Sequence, residues 1–352
     1  MLNAMEPFLH IIHANLAKGF RGGERQTVLL IEALADICPT ASQTLVCRPD
    51  SPMREELAEV TNVRIVSAKH QLSGHYATGN ADIVHAHEAK AVHWAWLHLK
   101  LYKTPYIITR RVDTPIKRKC TNLIFYKQAD CCVAISNAIA TELSSLSPLP
   151  IPVIPSALTP SVPDSDIAAS LRSLYGKKFI VGHIGALVDK HKGQRVLLET
   201  AQLLEKDYSD ILFLLFGKGE DEASLKKESE SLTNIKWMGF KTNILDYISA
   251  FDLFAFPSRN EGLGSILLDV MNAKVPIIAS DVGGIPDIVK HQQTGLLVPA
   301  NDANALAKGI ISLKENSAFR QHLAQGATER LDRYDPRSMA DSYRHLYQTI
   351  VN

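Results

Sequence analysis

The sequence holds little that would commit it to a membrane, a disulfide framework or a nucleic acid. No apolar run approaches the ~18–20 residues that a spanning helix needs. The segment from Phe8 to Leu16 is apolar but short, and His10 and His13 interrupt it. It lacks a basic flank and a small-residue cleavage site, so it reads as a first buried strand and not as a signal peptide. Cysteine is sparse: Cys38, Cys47, Cys120, Cys131 and Cys132 make an odd count of five, with no C-x-x-C and none in the second half. That pattern fits reduced thiols in a cytoplasmic protein, with the Cys131–Cys132 pair as packing in an apolar run. Charge of one sign is also missing. The 38 basic and 37 acidic residues leave a net charge of +1, which argues against a dedicated nucleic-acid surface. There is no G-x-G-x-x-G fingerprint, no phosphate-binding G-x-x-x-x-G-K-[ST] loop, no internal repeat and no low-complexity segment.

What is present is an ordinary globular composition, 46% hydrophobic and 21% charged over 352 residues, enough for two domains. Short apolar runs alternate with helical patterns. Strands are expected at Phe8–His13, Gln43–Cys47, Val63–Val66, Asp82–Ala86, Tyr106–Thr109 and Cys131–Ile135. A second series follows at Phe179–Ile184, Ile211–Phe216, Ile235–Met238, Leu253–Phe256, Pro276–Ala279 and Gly295–Val298. Helical spacing lies between them, at Glu24–Ala35, Ala89–Leu101, Gln194–Leu204, Glu222–Ser229, Ile244–Ser249 and Ser265–Ala273, and again at Met339–Val351. Near-continuous apolar strands alternating with helices mean parallel sheets covered on both faces. The fold class is therefore α/β, with two doubly wound, Rossmann-like domains. Between the series, Pro148, Pro150, Pro152, Pro155, Pro160 and Pro163 mark an extended connection, because proline fixes φ and donates no ladder hydrogen bond.

Several strand-to-helix junctions carry residues fit for chemistry. The block from Pro257 to Val289 places Glu261, Gly262, Leu263 and Gly264 after a strand, with Asp269 about one turn into the next helix. Glycines let a backbone approach a ligand, and carboxylates accept from paired sugar hydroxyls. Gly283-Gly284 follow another strand. Lys190, Lys192 and Gly193 sit between strand and helix, where doubly wound folds bind ligands, and two lysines there can neutralise a diphosphate. In the first half, Gly22-Gly23 lie between strand and helix, flanked by Arg21 and Arg25. The run from Thr109 to Cys120 carries Arg110, Arg111, Lys117, Arg118 and Lys119 against one acid, Asp113. It suits an anionic acceptor or a membrane surface. His85, His87 and Glu88 end a strand. Read as alternating onto opposite faces, with no further ligands evident, the two histidines give no metal site. His87 then faces substrate and His85 packs. The Asp164-Ser165-Asp166 triplet resembles a metal-binding D-x-D but lies in a polar linker, and it is set aside.

Taken together, the GGER loop, the DIVHAHE strand end, AISNAI, the KHKG loop, FGKGE, WMGF and the block from Phe256 to Val289 resemble the retaining glycosyltransferases of family 4, with the GT-B fold. The resemblance covers nearly the whole chain. It implies two Rossmann-like domains facing across a cleft: residues 1–160 for the acceptor, with helix 336–352 packing back on them, and residues 170–335 for the nucleotide sugar. It implies Glu261, His87 and Lys192 as catalytic residues. It assigns Gly185, Lys190, Lys192, Gly262, Leu263, Gly264 and Asp269 to the donor, and Gly22, Gly23, Arg110 and Arg111 to the acceptor. Asp269 stands where the family carries Glu, and Ala186 falls near the family's phosphate arginine, for which Lys190 or His191 substitutes. The implied reaction moves a sugar from a nucleotide diphosphate to an acceptor hydroxyl with the anomeric configuration kept, and with no metal and no other cofactor. The implied setting is lipopolysaccharide or other envelope glycan synthesis, on a glycan or lipid-linked acceptor. The implied location is the cytoplasm, with peripheral contact at the cytoplasmic face of the inner membrane and no nucleic-acid partner. An epimerase on the same fold and a non-catalytic nucleotide-sugar-binding protein are the alternatives.

Overall fold

The computed structural model describes residues 9–116, 120–146, 149–160 and 162–352, with the backbone alone at Cys120. Phe8, Lys117, Arg118, Lys119 and Pro148, named above, lie outside the described residues. The chain forms two units. The first comprises Met1–Ala157 with Tyr334–Asn352, and the second Leu158–Arg333.

In the first unit the strands are β1 (His10–Asn15), β2 (Ser42–Cys47), β3 (Val63–Ser67), β4 (Ile83–Ala86), β5 (Tyr106–Arg110) and β6 (Cys131–Ala134). They pair in parallel in the order β3-β2-β1-β4-β5-β6. The helix Gly22–Ile37 buries Leu30, Ala33 and Leu34 against Ile11 and Ile107. On the same core lies the final helix, Pro336–Val351, through Met339, Ala340, Tyr343 and Tyr347. Asp335 starts that helix by accepting from the amides of Arg337 and Ser338, and Pro336 fits the first turn because no amide is needed there. The proline-rich connection is tied down by Gln26, whose side chain donates to Ala157 O (2.7 Å) and accepts from Ala157 N (2.7 Å). Cys131 and Cys132 are buried, and the Cys132 thiol donates to Tyr126 O (3.8 Å).

In the second unit the strands are β7 (Phe179–Ile184), β8 (Ile211–Phe216), β9 (Ile235–Gly239), β10 (Leu253–Phe256), β11 (Ile277–Ser280) and β12 (Leu296–Val298). Their order is β12-β11-β10-β7-β8-β9, again all parallel. Both sheets thus run third-second-first-fourth-fifth-sixth, although no sequence repeat links them. In this topology the order reverses between the first and fourth strands, and the crevice outside their carboxyl ends is where ligands bind. Those points are the ends of β1 and β4 in one unit and of β7 and β10 in the other. One linker reading is corrected. Asp164 accepts from the Asp166 amide (2.9 Å) and caps a helix, Ser165–Tyr175, so the D-x-D-like triplet is a helix start. Among the described residues no helix is long and apolar enough to cross a membrane.

Candidate functional site

The second unit gathers its loops at the ends of β7 and β10. After β7 the chain turns through Gly185 and a short helix, Asp189–Lys192, and ends in Gly193 with φ +65°. A β-carbon on Gly193 would lie 2.1 Å from Pro257 O, so only glycine lets this turn meet the loop after β10. The two loops are also pinned by charge. Arg259 donates to Asp189 O (2.8 Å) and Asp189 Oδ2 (2.5 Å), and Arg195 reaches the same carboxylate at 3.0 Å. Burial pushes the Asp189 carboxyl up, but the Arg195 amide and both guanidinium groups outweigh it and hold it below its ordinary value. A Gly193→Ala variant is expected to lose about 2 kcal/mol or more, from the left-handed backbone and the clash with Pro257. Calorimetric unfolding checks this; an unchanged midpoint would show that the turn tolerates a side chain.

This pinning brings Lys192 and Glu261 together. Lys192 Nζ pairs with Glu261 Oε2, with both side chains only partly exposed. Lys192 Nζ also stands 5.3 Å from the Phe256 ring centroid. Beneath it, His183 lies 3.4 Å from the position of a β-carbon on Gly185. Burial lowers its pKa to about 4, and nearby Lys192 adds to this against a bond to Ala255 O, so the Lys192 cation faces a neutral ring. Glu261 O accepts from Gly284 N (2.9 Å), so the Gly283-Gly284 turn buttresses the acid's backbone. Gly264 adopts φ +83°, in the left-handed region open to glycine, two residues before the helix Ile266–Asn272. Asp269 is held elsewhere: its Oδ1 accepts from Thr159 N (3.3 Å). Lys190 is exposed. Gly262 and Leu263 are buried in the loop. Arg259 escaped the sequence reading because its partner Asp189 lies 70 residues away and no local pattern pairs them.

In the first unit the structure corrects the histidine reading. Residues two apart on a strand share a face, and the rings of His85 and His87 lie with centroids 3.8 Å apart. His13, opposite His85 in the β1–β4 register, completes a buried cluster whose ligand-capable nitrogens lie within 4.8 Å of one another. A histidine cluster does exist, and all but one of its ring nitrogens are hydrogen-bonded. His85 meets Tyr347 OH and Thr109 Oγ1, each at 2.7 Å, and Tyr343 OH meets Thr109 Oγ1 at 2.8 Å. The final helix therefore supplies two hydroxyls to the site. Tautomers follow from one fixed amide. Gln43 Nε2 donates to Ile31 O (3.0 Å), which leaves Gln43 Oε1 to accept from His13 Nε2 (3.1 Å). Burial lowers the His13 pKa to about 3, so the ring is neutral and its Nδ1 is a lone pair. His87 Nε2, 3.1 Å from that atom, must donate to it. His87 is held neutral by burial and by the neighbouring His85, His13 and Arg111. Its Nδ1 is thus a bare acceptor, and it finds no partner.

Gly23 stands beside Arg111, whose Cδ is 3.7 Å from a β-carbon position on that glycine. Arg110 is engaged differently. Its guanidinium donates to Thr114 O and Tyr126 OH, so it braces its own loop.

Two doubly wound sheets of equal order, each with polar loops at its switch point, define the class of two-domain α/β proteins to which GT-B transferases belong. The comparisons agree. The family described as Glycosyl transferases group 1 matches residues 170–330, and Glycosyltransferase Family 4 matches residues 20–161. The chain belongs to this glycosyltransferase family, and it has the GT-B fold. It is similar to the lipopolysaccharide core biosynthesis glycosyltransferase LpsD of Rhizobium meliloti, 25% identical over 345 residues, 94% of this chain and 96% of that one. It is also similar to the phosphatidyl-myo-inositol mannosyltransferase of Mycobacterium leprae, 23% identical over 287 residues, 78% of this chain and 75% of that one. Among solved structures, Anabaena HepE in complex with UDP and glucose superposes with a TM-score of 0.82 at 19% identity, over 97% of this chain and 100% of that one.

Proposed function

We propose that the protein moves a sugar from a nucleoside-diphosphate sugar to an acceptor hydroxyl, with retention of configuration and without a metal ion, in the synthesis of lipopolysaccharide or another envelope glycan. The observation that carries this reading is the Lys192–Glu261 pair at the β7/β10 switch point. Breaking a glycosyl–phosphate bond leaves positive character on the sugar and negative charge on the departing diphosphate. A fixed ammonium aimed at that diphosphate stabilises the charge as it grows, the task a divalent cation performs in other transferases. The adjacent carboxylate accepts from sugar hydroxyls. Asp269 takes the nucleotide ribose, and Gly185 and the Gly262–Gly264 backbone lie along the donor. In the first unit, the bare His87 Nδ1 accepts from a substrate hydroxyl. Relatives named for a lipopolysaccharide core and for phosphatidyl-myo-inositol favour a lipid-linked acceptor, hence a cytoplasmic protein held peripherally at the inner membrane.

The test is transfer from a panel of nucleoside-diphosphate sugars to glycan acceptors, with product anomers read by NMR. The expected product keeps the donor's configuration, and hydrolysis or epimerisation of the donor without transfer would overturn the reading. Dialysis against EDTA is expected to leave the rate unchanged, because Lys192 carries the cationic role. A rate that collapses and returns only with Mg²⁺ or Mn²⁺ would show that it does not.

A further inference from the structure

Arg111 stands out in the first unit. Its Nε and Nη2 are sealed from solvent, and neither has a hydrogen-bond partner. No ion pair reaches it among the described residues. Glu24 is the acid whose charge acts on it, but the Glu24 carboxylate is turned onto the Arg21 amide (2.8 Å). Buried guanidinium groups are ordinarily paired, because stripping water from a charge without replacement is costly. Two neighbours of Arg111 offer further polar groups. His87 is 2% exposed and its Nδ1 has no partner. The sixteen-residue helix Gly22–Ile37 opens beside the Arg111 side chain, whose Cδ is 3.7 Å from a β-carbon position on Gly23, and the first-turn amides of Gly22 and Gly23 have no acceptor within that helix. A planar fork of donors, a helix start and a bare imidazole acceptor thus follow β5, β1 and β4, at the carboxyl end of one sheet. The first two attract an oxyanion, and the third attracts a hydroxyl.

We propose that Arg111, with the Gly22–Gly23 helix start and His87, forms an oxyanion subsite that selects an acidic sugar acceptor, one bearing a phosphate or carboxylate near a free hydroxyl. The proposal rests on the glycosyl-transfer reading and narrows its acceptor class. The guanidinium takes the oxyanion in a bidentate fork, and His87 Nδ1 takes the hydroxyl. Arg110 is engaged differently: its terminal nitrogens donate to Thr114 O and Tyr126 OH and tie it to its own loop, and only its Nε is sealed without a partner.

The test is calorimetric titration of the intact chain with glucose 6-phosphate, glucuronate and neutral glucose, with UDP titrated separately. Glucose 6-phosphate or glucuronate is expected to bind about 10- to 100-fold more tightly than glucose, and the tighter of the two tells phosphate from carboxylate. In Arg111→Gln that preference should vanish while UDP affinity stays at the wild-type value. Arg111→Lys, which keeps the charge but loses the fork, should retain part of it. The unfolding midpoint of ligand-free Arg111→Gln should not fall, since no partner is lost; a fall would assign Arg111 a structural role and overturn the proposal. Equal binding of acidic and neutral sugars, or an acid preference that survives in Arg111→Gln, would also overturn it. So would weakened UDP binding in Arg111→Gln, which would place the anion on the donor. If no nucleotide sugar is turned over while acidic sugars still bind through Arg111, the transfer reading fails and the subsite stands.

Discussion

Replacing Glu261 by Gln is expected to lower kcat/KM for transfer by about 10²-fold or more, while affinity for the nucleoside diphosphate of the donor, with UDP as the probe, holds or improves. The two halves of this expectation have different physical sources. Transfer falls because the carboxylate's charged hydrogen bonds to sugar hydroxyls are lost, each worth about 1.5–3 kcal/mol where they strengthen in the transition state. Nucleotide affinity holds because Glu261 occupies the Lys192 ammonium in the free protein, and the neutral amide releases that cation to the diphosphate. The fold should survive. The Glu261 backbone is fixed by Gly284 independently of its side chain, and partly exposed ion pairs add little to stability, about 0–1 kcal/mol. Steady-state rates together with UDP titration check both halves. Near wild-type turnover would remove Glu261 from the reaction. A large loss of UDP affinity would mean that the acid holds the nucleotide and not the sugar.

Much of the scaffold behind this site was legible in sequence. β7, β8 and β10 fall at the residues expected, because strands covered on both faces read as unbroken apolar runs bounded by polar turns. The boundaries that drifted are those where burial did not decide. β1 begins at His10 and runs on to Asn15, past the histidines that broke its apolar pattern, because His13 and Asn15 are buried polar residues with partners inside the fold. The helices Ala303–Glu315 and Ser317–Thr328 were not singled out. They open at Asp302 and Asn316, whose side chains cap the first turns, a signal present in the sequence but passed over. The site itself was legible only as separate loops. That Lys192 meets Glu261, that Arg259 pins Asp189, and that His13 fixes the tautomer of His87 all depend on partners about 70 residues apart or more. Local periodicity carries no such information. The histidine pair shows a further limit. The period of two was present in the sequence, but it places His85 and His87 on one face, and only the β1–β4 register reveals that His13 joins them.

Lys192→Ala should weaken both UDP and the intact donor by about 10- to 100-fold, the range for hydrogen bonds to a charged partner, and should also lower kcat. Affinity falls because the ammonium is the cation that the β7 and β10 loops jointly position. The drop in kcat is a separate matter. Charge on the leaving diphosphate grows toward the transition state, so a cation there contributes more to the barrier than to ground-state binding. The variant also leaves Glu261 without its partner, a half-buried carboxylate beside the phosphate site, and that repulsion deepens the loss. This last contribution can be isolated. In Lys192→Ala/Glu261→Gln the repulsion is gone, so UDP affinity should recover in part while transfer stays lost, a non-additivity expected of two residues in direct contact. Lys190, exposed on the same turn, should give only a weak version of the single-variant effect when replaced by Ala. Calorimetric UDP affinities for the four proteins, set beside their turnover rates, separate these contributions. If Lys192→Ala binds UDP as tightly as wild type, the diphosphate is held elsewhere and the pair at the β7/β10 switch point serves the fold alone.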